Sequence, residues 1–213
     1  MANQLTTIYI VRHGESEANV QESKRTIDMT SWDESGAPLT PKGRQQVAKL
    51  AMKLAHVKFD AIFTSNLLRA RQTAEIIRSD KNIPIETVTT IYERTIGKEF
   101  WKLSRSERKK LENAVFSLEE EEKFIYKITP DSETAQEALD RFKKFLMNII
   151  PLYKGKTILV VNHGGIMRFL LMRIGWATYN ELPMGTIQNT GYFILETDGQ
   201  NFKVKETSGV NKK

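Results

Sequence analysis

Short apolar runs alternate with amphipathic stretches along most of the chain. The runs at residues 8–11, 59–63 and 157–161 are compact and rich in β-branched or aromatic side chains, which is typical of buried strands. The stretches between them carry apolar residues at helical spacing, as at Val47 and Leu50. This alternation predicts a three-layer α/β/α fold, in which helices cover both faces of a mainly parallel sheet.

Turn and capping residues mark further elements. Thr40 followed by Pro41 has the residue types of an N-cap and a first helical position, so a helix is expected to begin there. Residues 131–133 are Asp, Ser and Glu, and they are expected to cap a long amphipathic helix. Strand-like runs at 186–195 and 202–204 predict an antiparallel hairpin at the edge of the sheet.

The sequence contains no evident repeat or linker. We therefore expect one domain over residues 1–213, with residues 208–213 as a frayed tail. The charged and irregular segment 95–130 is interpreted as a cap-like insertion over one face, and its acidic run 119–122 as a solvated helix face. Three aromatic side chains are expected to pack this insertion onto the sheet, with substrate stacking as the alternative: Trp32, Phe100 and Trp101.

Composition narrows the class of protein. With 213 residues, 40% hydrophobic and 27% charged, the chain has the balance of a soluble globular protein. It contains no cysteine, which excludes disulfides, thiolate metal sites and cysteine nucleophiles. No apolar run approaches the roughly 18 residues that span a bilayer, and the N-terminus lacks signal-peptide features. We therefore expect a cytoplasmic protein with no membrane partner.

The charge balance is basic, with a net charge of +6. Basic residues are spread along the chain and many alternate with acids, so a mildly basic surface is favoured over a nucleic-acid interface. Attraction of a small phosphorylated substrate is the second interpretation of this charge.

Cationic and imidazole side chains follow three of the predicted strands. Arg12 and His13 end the first strand, Arg69 lies just past the second, and His163 ends the strand at 157–161. Because the carboxyl ends of parallel strands meet at one edge of a sheet, these residues are expected to share a pocket. Two guanidiniums and two imidazoles are too much positive charge to bury without an anion, and arginine binds phosphoryl oxygens bidentately.

Each of these residues also has a simpler explanation. Arg69 could pair with a surface acid, His163 could be a core histidine, and His13 could bind a metal ion. A metal site is disfavoured because the chain has only three histidines and no cysteine, and two arginines point to the same place. The coincidence of three such strand ends favours an anion-binding catalytic site.

Four short motifs follow one another along the chain. They are Arg12-His13-Gly14-Glu15 with Asn19 close behind, Ser65 to Ala74 around Arg69, Glu93 followed by Gly97, and Asn162-His163-Gly164-Gly165. Residues 39–43 and 189–191 add weaker matches. Together these motifs resemble the signature of the histidine phosphatase superfamily, also called phosphoglycerate mutase-like, over nearly the whole chain.

The resemblance implies a role for each motif residue. His13 would be the nucleophile that forms a phosphohistidine, and Glu93 would protonate the leaving alcohol. Arg12, Arg69 and His163 would hold the phosphoryl oxygens. The alternative for Glu93 is a salt bridge to its neighbour in sequence. The remaining substrate contacts that we expect are Asn19, Arg25, Thr26, Arg94 and Gly164.

The resemblance does not identify the leaving group. Many family members carry a Glu-Gly pair shortly after the glycine matched by Gly97, where this chain has Phe100 and Trp101, and the loop 24–37 lacks a compact glycine-containing form. The leading hypothesis is a phosphatase for small phosphorylated metabolites that needs no metal or other cofactor. The alternatives are a phosphoglycerate mutase, a non-catalytic phospho-ligand module and, more distantly, a nucleic-acid binder. A homodimer is one option for its assembly.

Overall fold

The computed structural model of the protein describes residues 4–24, 36–79 and 81–213, with residues 22–24 described by their backbone only. In chain order the strands are β1 (Thr6–Arg12), β2 (Ala61–Ser65), β3 (Ile85–Val88), β4 (Thr157–Asn162), β5 (Ile187–Thr197) and β6 (Phe202–Val210). The α-helices are α1 (Glu17–Lys24), α2 (Pro41–Lys53), α3 (Leu68–Arg78), α4 (Lys98–Lys102), α5 (Arg105–Ser117), α6 (Glu120–Ile125), α7 (Ala135–Ile149) and α8 (Gly164–Arg173). None of the described helices has the length and apolar character that crossing a membrane requires.

The six strands form a single sheet in the order β3-β2-β4-β1-β5-β6. The pairings of β1 with β4, β2 with β4 and β2 with β3 are parallel, whereas β5 pairs antiparallel with both β1 and β6. The prediction of a mainly parallel sheet with an antiparallel edge is confirmed. Within the parallel part, Arg12 lies opposite Asn162, so the residues that follow them leave the sheet side by side.

Apolar side chains from the sheet pack against helices on both faces. Ile8 and Ile10 of β1 belong to a buried cluster with the apolar stripe of α7 and most of α8. Val11 belongs to a second cluster with α2 and α3, which include Val47 and Ala70. The two clusters follow the two-residue period of a strand, and this period explains why the central strands are apolar throughout.

Two of the predicted helix starts can be compared in detail. Thr40 caps α2, and its hydroxyl accepts a hydrogen bond from the backbone of Gly43 at 2.9 Å, as expected. Helix α7 begins later than predicted: its N-cap is Thr134, which forms a capping box with Glu137. Asp131, one of the expected caps, instead accepts hydrogen bonds from the backbone at the start of α4.

The C-terminal segment corrects another prediction. Residues 208–213 do not fray from Ser208, because β6 continues to Val210, which pairs with Ile187. The backbone N–H of Lys213 then donates to the carbonyl of Glu181 at 3.0 Å. Ladder hydrogen bonds to β5, rather than apolar side chains, hold this polar segment, so its composition gave no sign of order.

The segment 95–130 contains three short helices, α4 to α6. Phe100 is buried and meets the ring of Trp101 edge to face, with centroids 5.3 Å apart. The guanidinium of Arg108 lies over both rings and donates to the carbonyl of Trp101 at 2.7 Å. Trp32 lies outside the described residues. The acidic run begins α6, but Lys123 in the same helix is buried, and this departs from a uniformly solvated face.

The first turn of α2 lies directly against the loop that follows β1. A Cβ at Gly43 would overlap with the carbonyl oxygen of Glu15, and a Cβ at Gly14 would lie 2.7 Å from the carbonyl oxygen of Gly43. The backbone N–H of Thr40 also donates to the Glu15 carbonyl at 3.0 Å. Glycine at both positions therefore permits the close approach that fixes the loop after His13.

The variant Gly43→Ala tests this close approach. In an ordinary helix the change would stabilise the protein by about 1 kcal/mol, but the overlap with Glu15 is expected to lower the free energy of unfolding by about 3 kcal/mol. Urea denaturation measures the difference. Gln45→Ala, at an exposed position of the same helix, is the control and should stay within about 0.5 kcal/mol of the parent. A stabilised Gly43→Ala protein would contradict the packing described.

Candidate active site

The carboxyl ends of β1 and β4 bring two imidazoles together. His13 and His163 directly follow the paired residues at the ends of these strands, and their ring centroids are 5.2 Å apart. Arg69, in the first turn of α3, contacts both rings. Its Nε donates to Nε2 of His13 at 3.1 Å, and its Nη2 lies 3.5 Å from Nδ1 of His163. Three residues that sequence reasoning placed at strand ends thus share one site.

The contacts of His13 define its tautomer. Its Nδ1 lies 2.7 Å from the carbonyl oxygen of Gly14, which can only accept a hydrogen bond. Nδ1 therefore carries the proton, and Nε2 presents its lone pair to Arg69. The ring is 3% exposed, so this lone pair is shielded from bulk water except on the side of the site.

The contacts of His163 favour the opposite tautomer. Because the guanidinium of Arg69 only donates, Nδ1 of His163 accepts, and Nε2–H donates to the hydroxyl of Ser65 at 2.8 Å. The backbone N–H of His163 donates to the side-chain oxygen of Asn162 at 2.8 Å. The ring is fully buried and its orientation is fixed by these hydrogen bonds.

Both imidazoles are held in the neutral form. Burial lowers the pKa of His13 well below 6.5, and the nearby charges of Arg69 and Arg12 lower it further. Burial has the same effect on the pKa of His163, again followed by the charge of Arg69. Near neutral pH the site therefore combines two cationic guanidiniums with two uncharged rings, and the lone pair on Nε2 of His13 accepts a hydrogen bond from Arg69.

Arg12 crosses the start of α8. Its Nη1 donates to the carbonyl of Ile187 at 2.5 Å, and a Cβ at Gly164 would lie 3.2 Å from its Nε. Glycine at position 164 thus leaves room for the arginine beside the helix N-terminus, where backbone N–H groups favour anions. Ile187 opens β5 and pairs with Val210, so the end of β6 supports the strand that anchors Arg12.

Glu93 reaches the same helix start from the other side. Its carboxylate accepts hydrogen bonds from the backbone N–H groups of Gly165 and Arg94, both at 2.9 Å. A Cβ at Gly165 would lie 2.5 Å from Oε1 of Glu93, so only glycine lets the acid approach this closely. Glu93 therefore accepts a hydrogen bond from the backbone of Arg94. Among the described residues it forms no salt bridge with the guanidinium of Arg94, which was the alternative expected from the sequence.

Comparison with known proteins places this constellation in a family. The family model described as the histidine phosphatase superfamily (branch 1) matches residues 8–208. This chain is a member of the histidine phosphatase superfamily. Both the resemblance stated from the sequence motifs and the phosphoglycerate mutase-like fold expected from it are confirmed.

Individual relatives match this chain along most of their length. The uncharacterized phosphatase PhoE of Bacillus subtilis is 29% identical over 202 residues, which cover 95% of this chain and 94% of that protein. The probable phosphoglycerate mutase GpmB of Citrobacter koseri is 30% identical over 165 residues, 74% of this chain and 69% of that protein. The solved structure of Bacillus stearothermophilus YhfR superposes with a TM-score of 0.75 at 27% identity, covering 97% and 100% of the two chains.

Asn19 lies at the edge of this histidine phosphatase site. Its side-chain oxygen accepts hydrogen bonds from the backbone and hydroxyl of Ser16, at 3.2 and 3.1 Å, and from the amide of Asn189 at 3.1 Å. These contacts use the oxygen and leave the amide N–H groups of Asn19 as the part that can donate to a ligand. Arg25 and Thr26, the two other polar contacts expected near it, lie outside the described residues.

Sequence reasoning gave Ser65 only a part in capping α3 and gave Thr73 no individual role, although both lie in the second motif. The hydroxyl oxygen of Ser65 accepts a hydrogen bond from Nε2–H of His163, as described above. The hydroxyl of Thr73 donates to the carbonyl of Arg69 at 2.7 Å and accepts from the backbone of Gly14 at 3.2 Å, which ties α3 to the loop after β1. A hydroxyl residue four positions after Arg69 on the same helix was the available signal.

Metal binding can be considered from the side chains present. Among the described residues, no group of three or more His, Cys, Asp or Glu side chains is arranged so that it could hold a metal ion. The positive charge of the site comes instead from Arg12 and Arg69.

The buried neutral histidines make stability depend on pH. The folded-state pKa values of His13 and His163 lie well below 6.5, so below that pH the unfolded chain binds protons that the native state does not. The contribution of these two histidines to the free energy of unfolding is therefore complete above pH 6.5. It falls as the pH decreases toward their folded-state pKa values, by up to about 1.4 kcal/mol per pH unit for each histidine.

Urea denaturation between pH 8 and pH 5 measures this dependence. His13→Asn should show a shallower decrease than the parent, because one of the two proton-linked groups is gone. His56→Asn, at an exposed position, is the control and should keep the parental slope. An equal slope in the parent and in His13→Asn would contradict the burial of a neutral imidazole at position 13.

Proposed function

We propose that this chain is a phosphatase that hydrolyses phosphomonoesters of small cytoplasmic metabolites, acting as one domain through a phosphohistidine on His13. The observation that carries the proposal is the state of His13. Its ring is neutral, Nδ1–H is bound to the Gly14 carbonyl, and the Nε2 lone pair faces Arg69 in a buried site. A lone pair held in this way is a nucleophile beside groups that bind phosphoryl oxygens.

Substrate binding rearranges the guanidinium of Arg69. In the ligand-free site its Nε donates to the Nε2 atom that must attack. An incoming phosphoryl group competes for this donor, because a charged oxygen accepts more strongly than an imidazole nitrogen. Arg69 then binds phosphoryl oxygens together with Arg12, His163 and the amide of Asn19, and the lone pair of His13 becomes available.

In the first chemical step, Nε2 of His13 attacks phosphorus and the bond from phosphorus to the ester oxygen breaks. The electron pair of that bond goes to the leaving oxygen, which takes a proton from the carboxyl group of Glu93. The phosphorylated ring is cationic, since Nδ1 keeps its proton, and the Gly14 carbonyl stabilises it through the 2.7 Å hydrogen bond. The two guanidiniums stabilise the charge on the equatorial oxygens.

In the second step, Glu93 accepts a proton from a water molecule as the water oxygen attacks phosphorus. The bond between phosphorus and Nε2 breaks, its electron pair returns to the ring, and His13 is neutral again. Glu93 ends the cycle protonated, ready for the next substrate. Proton and charge balance thus need no group beyond those named, since the arginines supply the positive charge that metal ions provide in other phosphoryl-transfer sites.

A phosphoglycerate mutase is the second candidate function. It is favoured by the 30% identity to a relative described as a probable phosphoglycerate mutase. The two activities share the phosphohistidine and differ in whether water or a second alcohol receives the phosphoryl group. Incubation with 3-phosphoglycerate and separation of the products distinguishes them: inorganic phosphate indicates the phosphatase, and the 2-isomer indicates the mutase.

The nucleophile is tested by labelling. His13→Ala should form no acid-labile phosphoenzyme with a ³²P-labelled phosphomonoester, and its turnover should fall on the order of 10⁴-fold or more, because the covalent route is lost. Quenched-flow labelling and phosphate release measure the two effects. His56→Ala is the matched control and should label like the parent. Labelling that persists in His13→Ala would assign the nucleophile elsewhere.

The role of Glu93 is tested with two leaving groups. Glu93→Gln keeps the hydrogen-bonding shape but cannot transfer a proton. Steady-state turnover of an alkyl phosphate should fall about 10²- to 10⁴-fold. The pre-steady-state burst from p-nitrophenyl phosphate should persist, because p-nitrophenolate leaves without a proton.

Glu75→Gln, at an exposed position on α3, is the control for this experiment and should retain parental kinetics with both substrates. If Glu93→Gln slows the p-nitrophenolate burst as much as it slows alkyl phosphate turnover, Glu93 does not act as the proton donor.

A further inference from the structure

Three cationic side chains surround two aromatic rings beside Glu93, and we call Arg94, Lys123 and Arg168 the basic cluster. The guanidiniums of Arg94 and Arg168 lie 5.5 and 5.7 Å from the ring centre of Phe169. Arg168 and the ammonium of Lys123 each lie 5.3 Å from the ring centre of Tyr179. One positive charge at these two rings thus comes from each of three elements: the loop after β3, helix α6 and helix α8.

The position of Lys123 is unexpected from its neighbours in sequence. It follows four glutamates, yet all four serve other groups. Glu119 and Glu122 form the capping box of α6. Glu120 accepts a hydrogen bond at 2.7 Å from a backbone N–H of the loop after α8, and Glu121 pairs with an arginine of α8 at 2.7 Å. No carboxylate of its own helix is left to neutralise Lys123.

The basic cluster is short of negative charge. Within the described ranges, none of its members forms a salt bridge with an aspartate or glutamate. Glu133 lies near Arg94 but is bound by Arg141 through hydrogen bonds of 2.7 and 2.9 Å. Against the larger effect of burial, the negative charge of Glu93 raises the pKa of Arg94 and of Arg168. Its carboxylate is, however, already hydrogen-bonded to two backbone N–H groups.

These cations are also largely removed from water. Lys123 is 6% and Arg168 5% exposed, and burial lowers the pKa of both Arg94 and Arg168. Arg168 donates to the carbonyl of Leu182 at 2.7 Å, and among the described residues no such carbonyl acceptor is found for the side chain of Arg94 or Lys123. Buried charges are stable when an opposite charge or several hydrogen bonds compensate their lost hydration. Arg94 is partly exposed, so it is the member of the basic cluster with the most contact with solvent.

The basic cluster lies on the leaving-group side of the site. Arg94 directly follows Glu93, the residue that would protonate the ester oxygen. Arg168 follows Gly165, which holds the carboxylate of Glu93, by three helical residues, a rise of roughly 4.5 Å. A short group linked to the ester oxygen would therefore extend toward these cations.

We propose that the basic cluster of Arg94, Lys123 and Arg168 binds a second anionic group, a carboxylate or a phosphate, carried by the leaving alcohol of the substrate. This inference rests on the proposed phosphatase function, because it takes the ester oxygen to lie at Glu93. The anion supplies the negative charge that the cluster lacks, and the short reach from Glu93 selects small leaving groups. Segment 95–130, through Lys123, thereby takes part in substrate selection.

Matched substrates test this subsite. 3-Phosphoglycerate, 1,3-propanediol bisphosphate and glycerol 3-phosphate have three-carbon leaving groups that end in a carboxylate, a phosphate and a neutral hydroxyl. The parent enzyme should prefer one or both of the first two over glycerol 3-phosphate by at least about tenfold in kcat/KM, since a charge-assisted contact is worth that much. The preferred anion identifies which of the two groups the cluster takes.

Lys123→Met removes the charge and keeps the length of the side chain. It should lower kcat/KM for the preferred anionic substrate about 10- to 100-fold and leave that for glycerol 3-phosphate within about threefold. Lys109→Met, at a 69% exposed lysine of α5, is the matched control and should change neither value. Lys123→Gln provides a second variant with the same expected pattern if Lys123→Met does not fold.

The outcomes separate the two proposals. If the parent does not turn over p-nitrophenyl phosphate or any of the three substrates, the phosphatase proposal fails. If it turns over all of them with equal efficiency, or if Lys123→Met slows the neutral and anionic substrates alike, the phosphatase proposal stands and the anion subsite is refuted. Competitive inhibition of p-nitrophenyl phosphate turnover by glycerate but not by glycerol, lost in Lys123→Met, would support the subsite independently.

Discussion

The guanidinium of Arg69 lies against two imidazoles that the parallel pairing of β1 with β4 has placed side by side. This arrangement brings a permanent cation into contact with two buried rings and keeps both rings neutral, because protonating either would add a charge where hydration has been lost. The site therefore favours an anion over a proton. The Gly14 carbonyl then fixes the proton of His13 on Nδ1 and leaves the lone pair on Nε2.

The surrounding structure holds this contact in place through the backbone. Gly43 lets the first turn of α2 press against the loop after His13, and Thr73 ties the same loop to α3. Arg12 is anchored on Ile187, whose strand pairs with the last residues of β6. The C-terminal ladder thus supports the position of Arg12, which lies more than 170 residues away in the sequence.

Glu93 links two parts of the structure. Its carboxylate accepts hydrogen bonds from the backbone N–H of Gly165, at the start of α8, and from that of Arg94, a member of the basic cluster. The site around His13 and His163 is built on the ends of strands and the starts of helices, whereas the basic cluster takes Lys123 from segment 95–130. One scaffold can therefore keep the same residues at its strand ends while the inserted segment changes.

The sequence by itself determined the layers, the parallel sheet, the start of α2 and the residues at the strand ends, because apolar periodicity and turn chemistry are local properties. It also determined the family, because motifs around His13 and His163 are contiguous in the chain. Only the tertiary structure decided the order of the C-terminal tail, the tautomers of the histidines and the burial of Lys123. Each of these depends on a partner that is distant in sequence. The tail is ordered by its pairing with β5, and the tautomer of His13 leaves the lone pair that faces Arg69. Lys123 is covered by the ring of Tyr179, although the acidic sequence of its own helix suggested a solvated face.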